Sequence, residues 1–327
     1  MTLRFRRGSS ADDRLVHHVF AESINEIDRR LGSALADEPG DEVAIEADWT
    51  RRRTLYEHLT ATADQYWVAE DDGQVVGYAR SILRDGLREL TEFFVSPGRQ
   101  GAGLGTELLR RAFAPDGASH RAIIATLEPA ALSRYLRTGV GARHLIAFLS
   151  RSLAATADAG ATTQAAPTAA APTDPAPEEA EALAAAGLEA EALAADRTAL
   201  DALAAIDLAV LGHRRDIDHG WLLRERQGRL YRRAGRVVGY GYVGPDCGPF
   251  AVLDPADLLP VLLDGEARAC SAGLSEFATW LSLANTELVG TLLSRGYRID
   301  PFLAVLLSDA PMAGLDRYAI TNPPFFL

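Results

Sequence analysis

Lysine is absent from the chain, so every basic side chain other than histidine is arginine. This absence excludes Schiff-base or general-base chemistry that depends on a lysine amine. Cysteine is scarce: Cys247 and Cys270 are the only two in 327 residues, which excludes a disulfide framework and is typical of a reducing cytoplasm. No apolar run approaches the roughly 18 to 20 residues of a membrane-spanning helix. We therefore expect a cytoplasmic protein without membrane association.

The charge of the chain is strongly negative. The formal net charge is −12 at pH 7, from 33 basic and 45 acidic residues. Because nucleic-acid-binding proteins usually present a basic face, this charge disfavours a nucleic-acid partner and mildly favours cationic ones. The composition, 48% hydrophobic and 24% charged, is that of a folded globular protein. At about 150 residues per domain, the length favours two domains.

A change of composition divides the chain near its middle. Residues 154–180 are dominated by Ala, Thr, Pro, Asp and Glu, and their prolines interrupt any helix. Such a segment buries too little apolar surface to offset the entropy lost on ordering. We predict a first domain over residues 1–153, an Ala/Pro/Thr-rich linker over residues 154–180 and a second domain over residues 181–327.

Two sequence patterns recur in the two halves in the same order. Residues 73–78 and 235–240 share the pattern Gly-x-Val-Val-Gly-Tyr, a tight turn that leads into an apolar strand and predicts a β-hairpin. Residues 129–143 and 285–298 each read as a short helix stopped by a glycine before a strand. Two matches at similar offsets indicate an internal duplication.

Predicted strands and helices alternate through the first half. The strands are expected at 3–8, 66–70, 74–84, 87–95, 122–126 and 143–150, and the helices at 12–31, 47–61, 103–113 and 130–137. A meander of strands followed by strand–helix–strand–helix–strand predicts an α/β domain. Its central sheet is mixed, mostly antiparallel and flanked by helices.

A glycine-rich turn joins the strand that ends at Val95 to an amphipathic helix. Residues 99–106 read Arg-Gln-Gly-Ala-Gly-Leu-Gly-Thr. The backbone N–H groups of such a turn and the N-terminus of the following helix together attract an anion such as a diphosphate. No Lys-Ser/Thr follows at the Walker A spacing, and the glycine order departs from the dinucleotide-binding fingerprint, so both of those nucleotide sites are disfavoured.

The loop, the hairpin before it and the late helix after it together resemble the GNAT superfamily of N-acetyltransferases. The order Gln100-Gly101-Ala102-Gly103-Leu104-Gly105 is similar to the acyl-CoA-binding signature of that family. In the late helix, Tyr135 stands four residues before Gly139, as the family pattern requires. The resemblance covers the first half, and it implies a tandem GNAT-like chain that uses acetyl-CoA as cosubstrate and no metal.

The resemblance also implies a division of roles around the loop. The loop N–H groups would hold the CoA pyrophosphate, and the strand before the loop would separate from its neighbour at a bulge and pair with pantetheine. The Val95 N–H would polarise the thioester carbonyl, and the Tyr135 hydroxyl would protonate the leaving thiolate. The implied cosubstrate site comprises Phe93, Phe94, Val95, Gln100, Gly101, Ala102, Gly103, Leu104, Gly105 and Thr106.

The general base is left open between two glutamates of the strand that leads to the loop, Glu89 and Glu92. Regular alternation places them on opposite faces of the sheet unless a bulge intervenes. A carboxylate beside Phe93 and Phe94 would have a pKa raised by desolvation, which suits a base near neutral pH. A water chain without a single base is the alternative, and either glutamate also fits a solvated or salt-bridged position.

Acidic and aromatic residues are interleaved along the two early helices. They are Glu22, Glu26, Asp28, Glu46, Asp48, Trp49 and Tyr56. This mixture suits an amine cation, so we expect Glu22, Glu26 and Trp49 to contact a small-molecule amine acceptor. Two solvated helix faces are the alternative.

The second half lacks the glycine-rich signature. Its corresponding segment, residues 247–257, carries Asp254 and Asp257, which would repel a diphosphate, and Leu292 stands at the position of Tyr135. We predict a degenerate copy that binds no CoA. His213 and His219 are interpreted as part of a polar loop instead of a metal site. The resemblance makes the carboxylate of Leu327 a further candidate for the active site, with apolar docking of Phe325, Phe326 and Leu327 on the core as the favoured alternative.

The expected activity is direct transfer of acetyl from acetyl-CoA to a primary amine within a ternary complex. The alternative is a non-catalytic acyl-CoA-binding regulatory module. Either a monomer or a homodimer is compatible with the sequence, since a tandem repeat supplies internally a contact that single domains make as dimers.

Overall fold

The computed structural model describes residues 3–33, 40–99, 103–153, 177–312 and 314–321. Gln100, Gly101, Ala102, Leu327 and most of the predicted linker therefore lie outside the described residues. Within the described ranges, no helix is both long and apolar enough to cross a membrane.

The first half forms the elements that its sequence predicts. They are β1 (Leu3–Arg7), α1 (Asp13–Leu31), α2 (Glu42–Ala61), β2 (Ala63–Asp71), β3 (Gln74–Arg84), β4 (Leu87–Val95), α3 (Leu104–Ala112), β5 (His120–Thr126), α4 (Pro129–Leu136) and β6 (Gly141–Ser152). Helix α2 begins earlier than predicted because the Asp41 side chain caps it, accepting hydrogen bonds from the N–H groups of Val43 and Ala44.

The second half repeats this order of elements. They are α5 (Pro177–Ala185), β7 (Glu189–Ala192), α6 (Arg197–Val210), α7 (Asp216–Glu225), β8 (Gln227–Arg233), β9 (Arg236–Val243), β10 (Phe250–Val252), α8 (Leu258–Ser271), β11 (Glu276–Ser282), α9 (Thr286–Ser294), β12 (Arg298–Ser308) and β13 (Tyr318–Ala319). Helix α5 begins at Pro177, inside the segment predicted as linker.

The chain divides into two compact units that do not follow the predicted split throughout. The first unit contains β1 to α4 and also β12 from Asp300 onward. The second unit contains α5 to α9 and β13, and also β6 from Ile146 onward. Each unit thus includes the last long strand of the other half of the chain.

The sheet of the first unit has the order β1-β2-β3-β4-β5-β12. Every neighbouring pair is antiparallel except β4 and β5, which are parallel. In the second unit, β7, β8, β9, β10 and β13 form an antiparallel sheet, and β11 pairs antiparallel with β6. Since β12 pairs with β5 as β6 pairs with β11, the reciprocal strands support the predicted duplication.

Helices cover both faces of the sheet in the first unit. On one face, Leu104 and Leu108 of α3 and Tyr135 of α4 join a buried cluster with β4 and β5. On the other face, α1 and α2 pack Phe20 and Tyr56 against β2 and β3. The two apolar layers fix the ends of β4 and α3, where the sequence predicts the cosubstrate site.

Candidate active site

A bulge interrupts the pairing of β3 and β4. Glu92 lies opposite Arg80 and Leu90 lies opposite Ser81, so Thr91 is an extra residue on β4. An extra residue reverses the alternation of side chains beyond it. The bulge therefore determines on which face of the sheet each side chain from Glu92 to Val95 lies.

The two candidate bases consequently lie on the same face of the sheet. Glu89 is opposite Ile82 and Glu92 is opposite Arg80, and these two partners are separated by one residue of β3. Regular alternation predicted opposite faces, and the bulge at Thr91 is the physical reason for the difference. This shared face is the one covered by α1 and α2, since Phe94 packs there with Phe20.

Strands β4 and β5 separate before β4 ends. Their parallel pairing joins residues 87–89 to residues 120–122, and in the described part of the chain it extends no further. Strand β4 continues to Val95 and pairs there with Gly77 of β3 alone. The edge of Phe93–Val95 that would face β5 is left for another hydrogen-bonding partner.

Helix α3 begins beside this separated edge. Gly103 precedes it with a φ of +78°, a conformation that favours glycine, and no side chain caps the helix start. A Cβ on Gly105 would lie 3.1 Å from the Phe93 ring, so the helix start and the strand approach each other closely. Leu104 is buried under the helix and Thr106 is exposed.

Tyr135 and Arg134 of α4 lie next to the same helix start. The Tyr135 ring packs edge-on against Phe93, with 5.8 Å between the ring centroids. Burial raises the pKa of the Tyr135 hydroxyl above its usual range, so the group is protonated at neutral pH. The Arg134 Nε atom would lie 3.8 Å from a Cβ on Gly105. Sequence reasoning missed Arg134, whose only signal is an arginine adjoining Tyr135.

Glu92 is committed to two buried partners. Its carboxylate pairs with the guanidinium of Arg80, whose Nε donates a hydrogen bond to Oε2 over 2.5 Å. Its Oε1 accepts a hydrogen bond of 2.9 Å from the Tyr78 hydroxyl. Both the glutamate and the arginine are fully buried. This carboxylate is therefore fixed in position, and the Arg80 guanidinium compensates its charge.

Asp13, at the start of α1, lies beside the same arginine. Its Oδ1 accepts a hydrogen bond of 2.5 Å from the Thr60 hydroxyl and lies 3.6 Å from Nη1 of Arg80. Burial raises the pKa of the Asp13 carboxyl to about 6, although the Thr60 hydrogen bond and the Arg80 charge oppose that change. Asp13 was not singled out by the sequence, where it reads as an ordinary helix-start aspartate.

The two glutamates of α1 that are predicted to contact the amine acceptor lie beside basic side chains of the same helix. Glu26 pairs with Arg29 at 2.5 Å and with Arg30 at 3.5 Å, one helical turn away. The exposed Glu22 lies 3.6 Å from the His18 ring on the same helix. These contacts fit the alternative of a solvated helix face, while leaving the carboxylates at the surface of α1.

Trp49 belongs to an aromatic cluster between α1 and α2. Its ring centroid lies 5.4 Å from that of His17, and the His17 Nε2 atom is 2.9 Å from Oδ2 of Asp48. Burial would raise the pKa of Asp48, but the His17 hydrogen bond and the charges of Arg52 and Arg51 hold that pKa well below its usual range. Trp49 is half-buried, so part of its side chain is exposed.

Acidic side chains mark the corresponding helix start in the second half. Before α8, Asp254 accepts a hydrogen bond from the Ala256 N–H over 3.0 Å. Asp257 is buried and accepts a hydrogen bond from Arg233 over 2.5 Å. Carboxylates therefore occupy the helix start that an anion would need. Leu292 is buried on α9.

His219 does not lie in a polar loop, as the sequence interpretation had it. It belongs to helix α7 and is fully buried, with Nε2 and Nδ1 each 2.8 Å from an oxygen, of Asp207 and Tyr242 respectively. The Arg215 Nε donates to the same Asp207 over 2.8 Å. The loop interpretation was wrong for His219 because the four charged residues within 214–218 read as a loop, although α7 begins among them at Asp216; His213 does lie in the loop before α7.

Residues 62–162 match the family model described as the acetyltransferase (GNAT) domain. The chain contains a GNAT acetyltransferase domain. This match includes the bulged strand β4, the glycine-rich turn and helices α3 and α4, and it confirms the resemblance drawn from the sequence.

One curated relative is the mycothiol acetyltransferase of Nocardia farcinica (strain IFM 10152). The two sequences are 36% identical over 93 residues, which is 28% of this chain and 31% of that protein. This chain therefore matches less than a third of the length of that relative.

Solved structures resemble the tandem chain over nearly its whole length. A putative acetyltransferase from Pyrococcus horikoshii has a TM-score of 0.64 at 13% identity, covering 97% of this chain and 92% of that one. A tandem GNAT protein from the clavulanic acid biosynthesis pathway has a TM-score of 0.55 at 13% identity, covering 95% and 99%. At these identities the similarity establishes the fold: two tandem GNAT-like α/β domains.

Proposed function

We propose that the first half of the chain is an acetyl-CoA-dependent N-acetyltransferase that passes acetyl directly to a primary amine. The observation that carries this proposal is the separation of β4 from β5 next to the uncapped start of α3. An extended chain with amide groups, such as pantetheine, adds to such a free strand edge through main-chain hydrogen bonds. A diphosphate is stabilised by the N–H groups at the helix start.

The proposed roles around the thioester follow from position. The Val95 N–H, at the end of the separated edge, polarises the thioester carbonyl and stabilises the tetrahedral intermediate. Phe93 and Phe94 belong to the part of β4 that pairs with pantetheine. Residues 100–106 hold the pyrophosphate. The buried, protonated Tyr135 supplies the proton for the CoA thiolate, since a phenol with a raised pKa is the acid form at neutral pH.

The base is proposed among the carboxylates that share the α1–α2 face, Glu89 and Glu92. Their common face, created by the Thr91 bulge, makes a joint role compatible with the geometry. Because Glu92 is held by Arg80 and Tyr78, direct proton abstraction by Glu92 would require that ion pair to rearrange.

The acceptor is proposed to be a small primary amine bound over α1 and α2. Glu22, Glu26 and Trp49 remain the proposed contacts, with Trp49 offering an aromatic face to a cation. The relative named mycothiol acetyltransferase supports a small-molecule acceptor over a protein one. We also propose that the second half is a degenerate copy that binds no CoA. The proposal further includes a cytoplasmic location and no nucleic-acid partner.

Acetyl transfer is tested with a panel of glucosamine, spermidine, kanamycin and cysteine, by CoA thiol release and product mass. We expect turnover with at least one amine in the wild type and none in Gly103→Glu, which places a carboxylate at the start of α3. Gly273→Glu is the matched control, since Gly273 has a φ of +75° and, like Gly103, open space around its Cβ position. Acetyl-CoA binding without any turnover would instead support the regulatory module.

A further inference from the structure

A buried polar cluster lies between helices α1 and α2 and strands β2 to β4. Its members, called the Asp13 cluster below, are Asp13, Thr60, Tyr66, Arg80 and Glu92. The side chains of Asp13, Arg80 and Glu92 are 3%, 0% and 0% exposed. Two carboxylates therefore share one guanidinium, which leaves one negative charge uncompensated within the cluster when both are ionised. A buried charge of this kind has a strong tendency to take up a proton.

Two oxygens of the Asp13 cluster lack a hydrogen bond. In the described residues, neither Oδ2 of Asp13 nor the Tyr66 hydroxyl has a partner, although both atoms are buried. Both residues face Arg80, whose guanidinium carbon lies 4.9 Å from the Tyr66 ring centroid. Since buried polar atoms are normally bonded to protein or to ordered water, these two atoms mark a place for internal water.

The cluster is connected to the strand that carries the proposed thioester site. Glu92 lies on β4, two residues before Phe94 and three before Val95, and it accepts the hydrogen bond of Tyr78. Arg80 donates hydrogen bonds to both Glu92 and the Thr60 hydroxyl, and Thr60 donates to Asp13. A continuous chain of hydrogen bonds thus runs from Glu92 on β4 to Asp13.

We infer that Asp13 takes up the proton that the acceptor ammonium must lose, with Thr60 as its positioning residue and internal water as the carrier. This inference rests on the proposed acetyltransferase function. In this step Asp13, instead of Glu89 or Glu92, is the final acceptor of the ammonium proton, because the charge of Glu92 is already matched by Arg80. Asp13 carries the uncompensated charge and has an unbonded oxygen to receive the proton.

The proton balance of the step is complete. The acceptor R–NH3+ loses one proton through water to the Asp13 carboxylate, which gives R–NH2 and the neutral carboxylic acid. The nitrogen lone pair then forms the C–N bond to the thioester carbonyl carbon, and the C–S bond breaks. Tyr135 gives its hydroxyl proton to the leaving thiolate, and the second proton of the nitrogen restores the Tyr135 hydroxyl. Asp13 finally releases its proton to solvent.

Every element packed around Asp13 contributes a polar group. They are Asp12 before α1, Thr60 on α2, Tyr66 on β2, Arg80 on β3 and Glu92 on β4. Asp13 accepts a proton only when it is ionised. Acetyl transfer should therefore decline as the pH falls through the pKa of Asp13, about 6.

The test is the pH profile of kcat/KM, with the fastest amine of the panel above as probe. The wild type should show an acidic limb with a midpoint near 6. Asp13→Asn should lower the plateau at least 10-fold and abolish that limb, a loss in the range of a proton-transfer group. Thr60→Val should move the limb to higher pH, because the Thr60 hydrogen bond lowers the Asp13 pKa.

Asp12→Asn is the matched control, since the neighbouring Asp12 pairs with Arg6 instead of Arg80. It should keep the wild-type plateau and an acidic limb, and this limb should move only towards lower pH, because the Asp12 charge raises the Asp13 pKa. An independent readout is the carboxyl 13C titration of aspartate-labelled wild type, in which Asp13 should titrate near 6. A titration below 4.5, or an unchanged acidic limb in Asp13→Asn, would overturn this inference alone. Absence of turnover in the wild type would refute the proposed function itself.

Discussion

The surroundings of Tyr135 and Glu92 show why one is a candidate acid while the other is restricted as a base. Tyr135 is buried among apolar neighbours, with Phe93 beside it, which keeps its hydroxyl protonated. Glu92 is buried as well, but Arg80 and Tyr78 compensate its charge. Burial thus produces a proton donor at one site and a fixed ion pair at the other.

Tyr135→Phe tests the proposed acid. The substitution keeps the ring against Phe93 and removes only the hydroxyl, so we expect kcat to fall roughly 10- to 100-fold with unchanged acetyl-CoA affinity. Steady-state kinetics and calorimetry on the same preparation measure the two quantities. Equal kcat in the variant and the wild type would exclude this tyrosine as the acid.

Arg134→Gln tests a cosubstrate contact that the sequence alone did not reveal. Arg134 lies beside the start of α3, so losing its charge should weaken acetyl-CoA binding by roughly 1.5–3 kcal/mol, the range of a charged hydrogen bond. The deficit should shrink at high salt. Arg110→Gln is the control, because Arg110 is exposed on α3 and pairs with Glu107. Equal losses in both variants would show a general charge effect.

At the scale of elements, periodicity and stop signals were sufficient to predict the strands and helices of the first half. The bounds of β3 and β4 were predicted to the residue. The bulge at Thr91 was not located, because an extra residue changes the facing of side chains without changing the pattern of strand-forming residues. The commitment of Glu92 to Arg80 depends on that bulge, so it was beyond sequence reasoning as well.

Asp41→Ala tests the cap that lengthens α2. Losing the two hydrogen bonds from the N–H groups of Val43 and Ala44 should lower the free energy of unfolding by about 1 kcal/mol. Asp41→Ser should restore most of that loss, since serine also accepts at this position. Urea unfolding measures both variants; a full loss in Asp41→Ser would contradict the capping explanation.

At the scale of the whole molecule, the duplication was readable from the sequence but the exchange of strands was not. Repeats such as residues 73–78 and 235–240 identify equivalent segments. The repeats do not specify which of the two strands, β6 or β12, pairs with which sheet. The reason is that β6 and β12 occupy equivalent positions, each as the last long strand of its half of the chain. The structure places β12 beside β5, and β6 beside β11.

Cutting the chain in the predicted linker tests that exchange. A fragment of residues 1–153 lacks β12, so the edge of β5 and its apolar face stay uncovered, and we expect no cooperative thermal transition by circular dichroism. Co-expression with a fragment of residues 177–327 should restore one. A fragment 1–153 that unfolds cooperatively by itself would contradict the pairing of β12 with β5.

The fold and the proposed function together predict one acetyl-CoA site per chain, at the start of α3. Titration of acetyl-CoA by calorimetry measures it most directly, on the wild type, Gly103→Glu and the control Gly273→Glu. We predict a stoichiometry of one in the wild type and the control, and no binding in Gly103→Glu. Two sites per chain would contradict the degenerate second half, and no binding at millimolar acetyl-CoA would contradict the acetyltransferase function.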